Sequence, residues 1–151
     1  MNNNTYLFSA IIILLTLGTT ACDPPQTDDG DETAQQQAAE VNEDGPTGID
    51  DGGITTVSDD PALIEEGEGL FASQGCVGCH AMDRDSAGPA LGGVTDRRTT
   101  PWLAKMIMHP HEMVAQDPQA AAMSENFPAP MLQNDLTPDQ TKAIIAYLGA
   151  Q

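Results

Sequence analysis

Apolar residues recur at helical spacing in three stretches of the C-terminal part of the chain. The first begins at Asp60 and Pro61, a capping residue followed by a proline that suits a first helical turn. The second begins at Thr100, and the third at Thr137, where Thr-Pro-Asp-Gln fits a capping box. Residues 111–130 are compatible with two further short helical turns. The pattern predicts an all-α fold of about three main helices joined by loops.

A separate apolar run, residues 6–17, lies near the N-terminus. It is shorter than the ~20 apolar residues that a membrane-spanning helix needs, and its length is typical of a signal-peptide core. Small residues follow at 18–21, and then comes Cys22. This order resembles a bacterial lipoprotein signal, in which the cysteine becomes the lipidated first residue. We expect residues 1–21 to be the signal peptide and Cys22 to be lipidated; plain cleavage and an uncleaved anchor are the alternatives, and all three imply export.

Acidic residues are concentrated just after this signal. The chain has 151 residues and a formal net charge of −18, and residues 23–60 contain 12 Asp or Glu but no Lys or Arg. A segment of low hydrophobicity and like charge cannot bury enough surface to offset its ordering entropy. We therefore expect residues 22–58 to be a disordered tether, either a leash or a plain spacer, and 59–151 to be the folded domain. No basic patch is available for phosphates, which excludes nucleic acid as a partner.

Residues 76–80 have the sequence C-V-G-C-H. Two thiols at this spacing can each add to a vinyl group on the same porphyrin edge, and the adjoining imidazole can bind the iron. The motif therefore predicts one covalently bound haem c attached to Cys76 and Cys79, with His80 as an axial ligand. A haem would also help to stabilise a domain that has few aromatic residues for a core of its own.

Two other kinds of site use a C-x-x-C pair. Zinc needs four ligands, and without a second Cys pair it would have to recruit His109 or His111. A thioredoxin-like redox pair needs a βαβ context, and no strand-like run precedes the motif. Both alternatives are weaker than haem attachment.

The order of parts around the motif resembles the class I cytochrome c family. A helix, C-x-x-C-H, a Gly-Pro loop, a second helix, a methionine-bearing loop and a terminal helix follow one another over residues 61–148. Further matches are G-x-x-L-F at 67–71 and A-Y-L at 146–148. The resemblance implies a small cytochrome c fold whose first and last helices cross at Gly67, with Phe71 and Tyr147 packed around the contact.

The same resemblance implies roles for three residues beyond the motif. The carbonyl of Pro89 would accept a hydrogen bond from the ring of the proximal histidine and so orient it. Arg97 lies where the family often places an arginine near a haem propionate, and Trp102 would bury that edge. Arg97 as a surface cation and Trp102 as ordinary core are the alternatives.

Met131 is the sixth iron ligand that the resemblance implies. It precedes the terminal helix at the family's spacing, in a loop that contains Pro128 and Pro130. Met123 is its nearest rival. Other candidates are Met113, His109 and His111, whereas Met106 and Met108 are expected to pack in the second helix.

Axial ligation by His80 and Met131 leaves no open iron position for a substrate. The resemblance therefore implies an electron carrier rather than an enzyme, with no small-molecule substrate. It would work on the periplasmic side, anchored to a membrane through Cys22. Its donor would be a quinol-oxidising complex and its acceptor a terminal oxidase or periplasmic reductase. The alternatives are a haem enzyme or gas-binding sensor with an open sixth site, and a fixed electron-transfer subunit of an oxidase or reductase complex.

Overall fold

Helices form the regular structure of the residues that the computed structural model describes, 42–127 and 129–151. No strand occurs in these ranges, which confirms the predicted all-α class. The six α-helices are α1 (Pro61–Ser73), α2 (Val94–Arg97), α3 (Thr100–Met108), α4 (Pro110–Gln116), α5 (Pro118–Asn126) and α6 (Pro138–Gly149). Within the same ranges no helix is long and apolar enough to cross a membrane. The predicted signal peptide and Cys22 lie outside the described residues.

The capping residues set the starts of α1 and α6. The carboxylate of Asp60 accepts a hydrogen bond from the Ala62 N–H at 2.9 Å. At α6 the Thr137 hydroxyl accepts from the Gln140 N–H at 3.3 Å, and the Gln140 side chain accepts from the Thr137 N–H at 3.0 Å. Because these bonds satisfy donors that a helix start leaves unpaired, the helix boundaries follow from local sequence.

The crossing of α1 and α6 is the main helix contact. A Cβ atom at Gly67 would overlap the carbonyl oxygen of Ala143 and lie 2.9 Å from the Cβ of Tyr147. Beside the crossing, the rings of Phe71 and Tyr147 pack with their centroids 5.5 Å apart. The predicted crossing is therefore confirmed. Helix α6 also packs against α2 and α3, and it contributes buried residues Ile144, Ile145 and Leu148 to the core.

Residues 42–58, which we call the N-terminal strap, pack against these helices. Ile49 and Ile54 are buried in the core, and the carbonyls of Asp44 and Pro46 accept hydrogen bonds from Lys105. The expected tether boundary at residue 58 therefore needs correction, since the folded domain extends back at least to residue 42. The average hydrophobicity of residues 42–58 does not predict a folded segment, because only two isolated isoleucines attach this otherwise polar segment to the core.

Replacing Gly67 with Ala should destabilise the haem-loaded protein. The added methyl group overlaps the Ala143 carbonyl, and overpacking of this kind costs roughly 1–3 kcal/mol. Denaturant unfolding measures the change. Gly69→Ala, in the same helix, is the matched control because nothing lies within 4 Å of its added Cβ. It should stabilise α1 by about 0.5–1 kcal/mol. Equal stability of the two variants would contradict the close helix contact.

Candidate haem site

An apolar cleft of ≈ 530 Å³ lies between the C-x-x-C-H segment, the Gly-Pro loop, α3, α5 and the loop before α6. All the haem-site residues that the sequence predicts line this one cleft: Cys76, Cys79, His80, Pro89, Arg97, Trp102 and Met131. They come from segments that are up to 55 positions apart in the chain. The fold thus brings together side chains that local sequence cannot bring together.

The two cysteines lie on a short 3₁₀ turn, Cys76–Gly78, directly after α1. Gly75, at φ +80°, lets the chain leave the helix in a left-handed conformation. The His80 N–H donates to the carbonyl of Cys76 at 2.9 Å, which keeps the three motif side chains on one compact turn. Burial raises the pKa of the half-buried Cys76 thiol above its ordinary value. A thioether sulfur carries no charge, so this partly buried position suits it.

The ring of His80 is oriented by the Gly-Pro loop. Its Nδ1 lies 2.9 Å from the carbonyl oxygen of Pro89. Since a carbonyl can only accept, Nδ1 carries the hydrogen, and the lone pair of the neutral ring is on Nε2. A Cβ at Gly88 would lie 2.6 Å from Cε1 of His80, so glycine leaves room for the ring. The arrangement prepares Nε2 to bind a metal ion.

Trp102 is 3% exposed, and its indole Nε1 has no hydrogen-bond partner among the described residues. A buried N–H without a partner costs free energy comparable to a lost hydrogen bond. Because Trp102 lines the cleft, an acceptor inside the cleft, such as a haem propionate, would satisfy it. This unpaired donor and the apolar walls fit a haem group.

Two adjacent arginines, Arg97 and Arg98, line the cleft. Arg97 donates to the carbonyls of Gly92 and Ala90, at 2.7 and 3.2 Å. The guanidinium carbon of Arg98 lies 5.0 Å from the ring centroid of Trp102, within the range of a cation–π interaction. Sequence reasoning selected Arg97 and missed Arg98, because Arg98 has an extended backbone and precedes α3, so helical spacing does not place it over Trp102.

The candidates for the sixth ligand fall into two groups, those that line the cleft and those that do not. Met131, Met123 and Met106 line the cleft, as does His111. Met108 and Met113 are instead buried in the core. His109 does not line the cleft; its Nδ1 lies 3.6 Å from a carboxylate oxygen of Glu112. Across the described ranges no three His, Cys, Asp or Glu side chains cluster as a metal site.

Comparisons with known proteins agree with this geometry. The family model for cytochrome c matches residues 64–151. A solved cytochrome c from Rhodothermus marinus is 30% identical over 72% of this chain and 90% of its own, with a TM-score of 0.61. An engineered form of that protein, bound to a carbene intermediate, is 29% identical over the same shares, with a TM-score of 0.57.

A curated relative matches over a shorter stretch. Cytochrome c-551 of Stutzerimonas stutzeri is 52% identical over 31 residues, which cover 20% of this chain and 30% of the relative. The family model, in contrast, extends over most of the folded domain and includes every predicted haem-site residue. The chain therefore belongs to the cytochrome c family, whose members carry covalently bound haem c.

Proposed function

We propose that the protein is a monohaem electron carrier that exchanges single electrons with redox partners outside the cytoplasm. The observation that carries this proposal is the convergence of both motif cysteines, His80 and Met131 on one apolar cleft. When bound, the haem supplies one-electron chemistry between its ferric and ferrous states. The chain attaches it, orients its ligands and excludes water.

Cys76 and Cys79 would hold the haem through thioether bonds, and His80 would bind the iron through Nε2. The hydrogen bond from Nδ1 to the Pro89 carbonyl supports this assignment because it selects the required tautomer. Such a bond also makes the imidazole a stronger donor. The 3₁₀ turn and the Gly-Pro loop thus act together on one ring.

Met131 would be the sixth ligand. It lines the cleft and is partly buried, in a segment that Pro130 stiffens. A thioether held on the iron raises the reduction potential and closes the remaining iron position to substrates. The alternative of a haem enzyme or gas sensor requires that this position be open or weakly filled.

Met131→Ala tests the ligand and separates the two functions. The variant should lose the weak far-red absorption band that ferric haem shows when methionine sulfur binds the iron. Its midpoint potential should fall by on the order of 0.1 V, within the ~0.8 V range that axial ligands span. Absorption spectra and redox titration of the full-length haem-loaded protein measure both changes, and the reduced variant should bind carbon monoxide.

Met123→Ala is the matched control, since it removes the other methionine of the cleft outside α3. It should keep the far-red band. A band that survives in Met131→Ala and disappears in Met123→Ala would transfer the assignment to Met123. Carbon monoxide binding by the reduced wild type without any band would favour the open-site alternative.

The charge of the described domain favours partners with basic docking faces. It contains 17 Asp or Glu against five Lys or Arg. Lys105 is buried and Arg98 lies over Trp102, so of the five cations these two contribute least to the outer surface, whereas Arg97 is exposed. Attraction between unlike surfaces accelerates encounter and weakens with salt. A quinol-oxidising complex as donor and a terminal oxidase or periplasmic reductase as acceptor are the partners that we propose.

Two exposed apolar side chains lie next to the cleft. Leu132, which lines it, is 71% exposed, and Val77, between the two motif cysteines, is 58% exposed. Apolar contact supplies the short-range part of association after charges have steered the encounter. We infer that these residues meet the partner close to the haem edge.

Leu132→Ser should slow electron exchange with a protein partner. A lysine-rich mitochondrial cytochrome c serves as the basic probe, with rates measured by stopped flow at low and high salt. A roughly fivefold lower rate is expected, equivalent to about 1 kcal/mol of lost apolar contact. Ala62→Ser, at an exposed position of α1 away from the cleft, is the control and should change little. Equal rates for the two variants would contradict docking at Leu132, while exchange with small hexaammineruthenium ions should be unaffected in both.

Cys22 is proposed to anchor the protein to a membrane on the periplasmic side. Mass spectrometry of the mature protein should find Cys22 as the first residue with a diacylglycerol-sized mass increment. Cys22→Ser should move the haem-loaded protein from the membrane to the soluble fraction without changing its absorption spectrum. A mature mass without the increment would contradict lipidation. If the protein is instead a fixed subunit, it should stay bound to an oxidase or reductase when the complex is solubilised with detergent.

A further inference from the structure

The N-terminal strap lies outside the region that the family model matches. The match begins at residue 64, whereas the strap comprises residues 42–58. Nevertheless the strap contributes Ile49 and Ile54 to the core of the domain.

Lys105 is the main polar attachment of the strap. The lysine is 6% exposed, and its Nζ donates to the carbonyls of Asp44 and Pro46 at 2.8 and 3.2 Å. A charged group is costly to bury unless it is well hydrogen-bonded. Since both of these bonds go to strap carbonyls, removing the strap would leave the ammonium group without them.

Thr99 forms a second attachment. Its hydroxyl donates to the carbonyl of Glu43 at 2.9 Å and accepts from the Trp102 N–H at 3.4 Å, where it caps α3. One hydroxyl therefore connects the strap to the first turn of the helix that carries Trp102.

Between these two attachments the strap covers the indole of Trp102. A Cβ at Gly45 would lie 3.4 Å from Cδ1 of Trp102 and 3.2 Å from Cε of Met113. Gly45 also has φ +78°, which disfavours other residues. Cδ1 is bonded to Nε1, the atom that has no hydrogen-bond partner, while the same side chain lines the haem cleft. The indole of Trp102 therefore lies between the strap, which covers its Cδ1 edge, and the haem cleft.

We propose that the N-terminal strap is the outer wall of the haem cleft at Trp102 and that Lys105 is the positioning residue that holds it there. The wall holds the indole at the border of the cleft and keeps water away from the haem edge next to it. The inference rests on the haem site of the proposed function, but it is independent of which residue is the sixth ligand.

Lys105→Met tests the proposal, since methionine keeps an unbranched apolar stem and cannot donate hydrogen bonds. Trp102 is the single tryptophan of the chain, so the reduced haem-loaded protein has one indole N–H signal in its proton NMR spectrum. Hydrogen exchange at this signal should become about tenfold faster, as expected for the loss of a hydrogen bond to a charged group. The midpoint potential should fall, because water at the haem edge favours the more positively charged ferric state.

Lys142→Met is the matched control. It is the other lysine of the chain, it is exposed on α6, and it should change neither the exchange rate nor the potential. Thr99→Asp is a second test that serves even if Lys105→Met folds poorly. Aspartate caps a helix as well as threonine does, but its carboxylate cannot donate to the Glu43 carbonyl. Like Lys105→Met, this variant should therefore accelerate hydrogen exchange at the indole and lower the midpoint potential.

The proposal would be overturned if, in both test variants, the hydrogen-exchange rate of the indole and the midpoint potential equal those of Lys142→Met. Faster exchange with an unchanged potential would also overturn it, because the strap would then pack against Trp102 without influencing the haem. The far-red band and carbon monoxide binding report separately on the sixth ligand. Failure of the strap proposal is thereby distinguishable from failure of the electron-carrier proposal.

Discussion

At the crossing of α1 and α6, the backbone of Gly67 lies directly against the carbonyl of Ala143, with no space for a side chain. This contact joins the beginning and the end of the folded domain. Because α1 leads directly into the cysteine motif, and α6 follows the Met131 loop, the crossing determines how far apart the two sides of the cleft lie. The chain between them is mostly short helices and loops, which could not hold such a distance on their own.

The middle of the chain depends on what occupies the cleft. Many apolar residues there, including Leu91, Met106, Ile107 and Met123, are only partly buried against the core. The unpaired indole N–H of Trp102 points to the same conclusion, since it needs an acceptor that the described protein residues do not provide. A large apolar group with polar substituents at one edge would complete both the packing and the hydrogen bonding. The cofactor would therefore be part of the core as well as the functional centre.

Neighbouring residues in the sequence were sufficient to predict the helix starts and the turn of the haem-attachment motif. The caps at Asp60 and Thr137 use side-chain oxygens and donors within three positions, so neighbouring residues suffice to recognise them. The compact turn of the C-x-x-C-H motif is local in the same sense. The family resemblance supplied the crossing at Gly67, which periodicity alone could not locate.

Long-range contacts account for what sequence reasoning missed. The bonds from Lys105 to the strap join residues about 60 positions apart, and nothing in the composition of an acidic, glycine-rich segment indicates them. Arg98 was overlooked because its role depends on the direction of its side chain over Trp102. The exact sixth ligand stays a prediction for a related reason, since several methionines reach the same cleft.

The burial of Lys105 affects how copies of this protein meet one another. Because the described domain has 17 Asp or Glu against five Lys or Arg, and Lys105 is buried, two copies present surfaces that are predominantly negative. Like-charged molecules repel one another at low ionic strength. For an electron carrier, such repulsion disfavours exchange between identical copies, which moves no net charge, and leaves the haem edge available to unlike partners. Burial of Lys105 thus removes a positive charge from the surface and strengthens the repulsion between two copies of the protein.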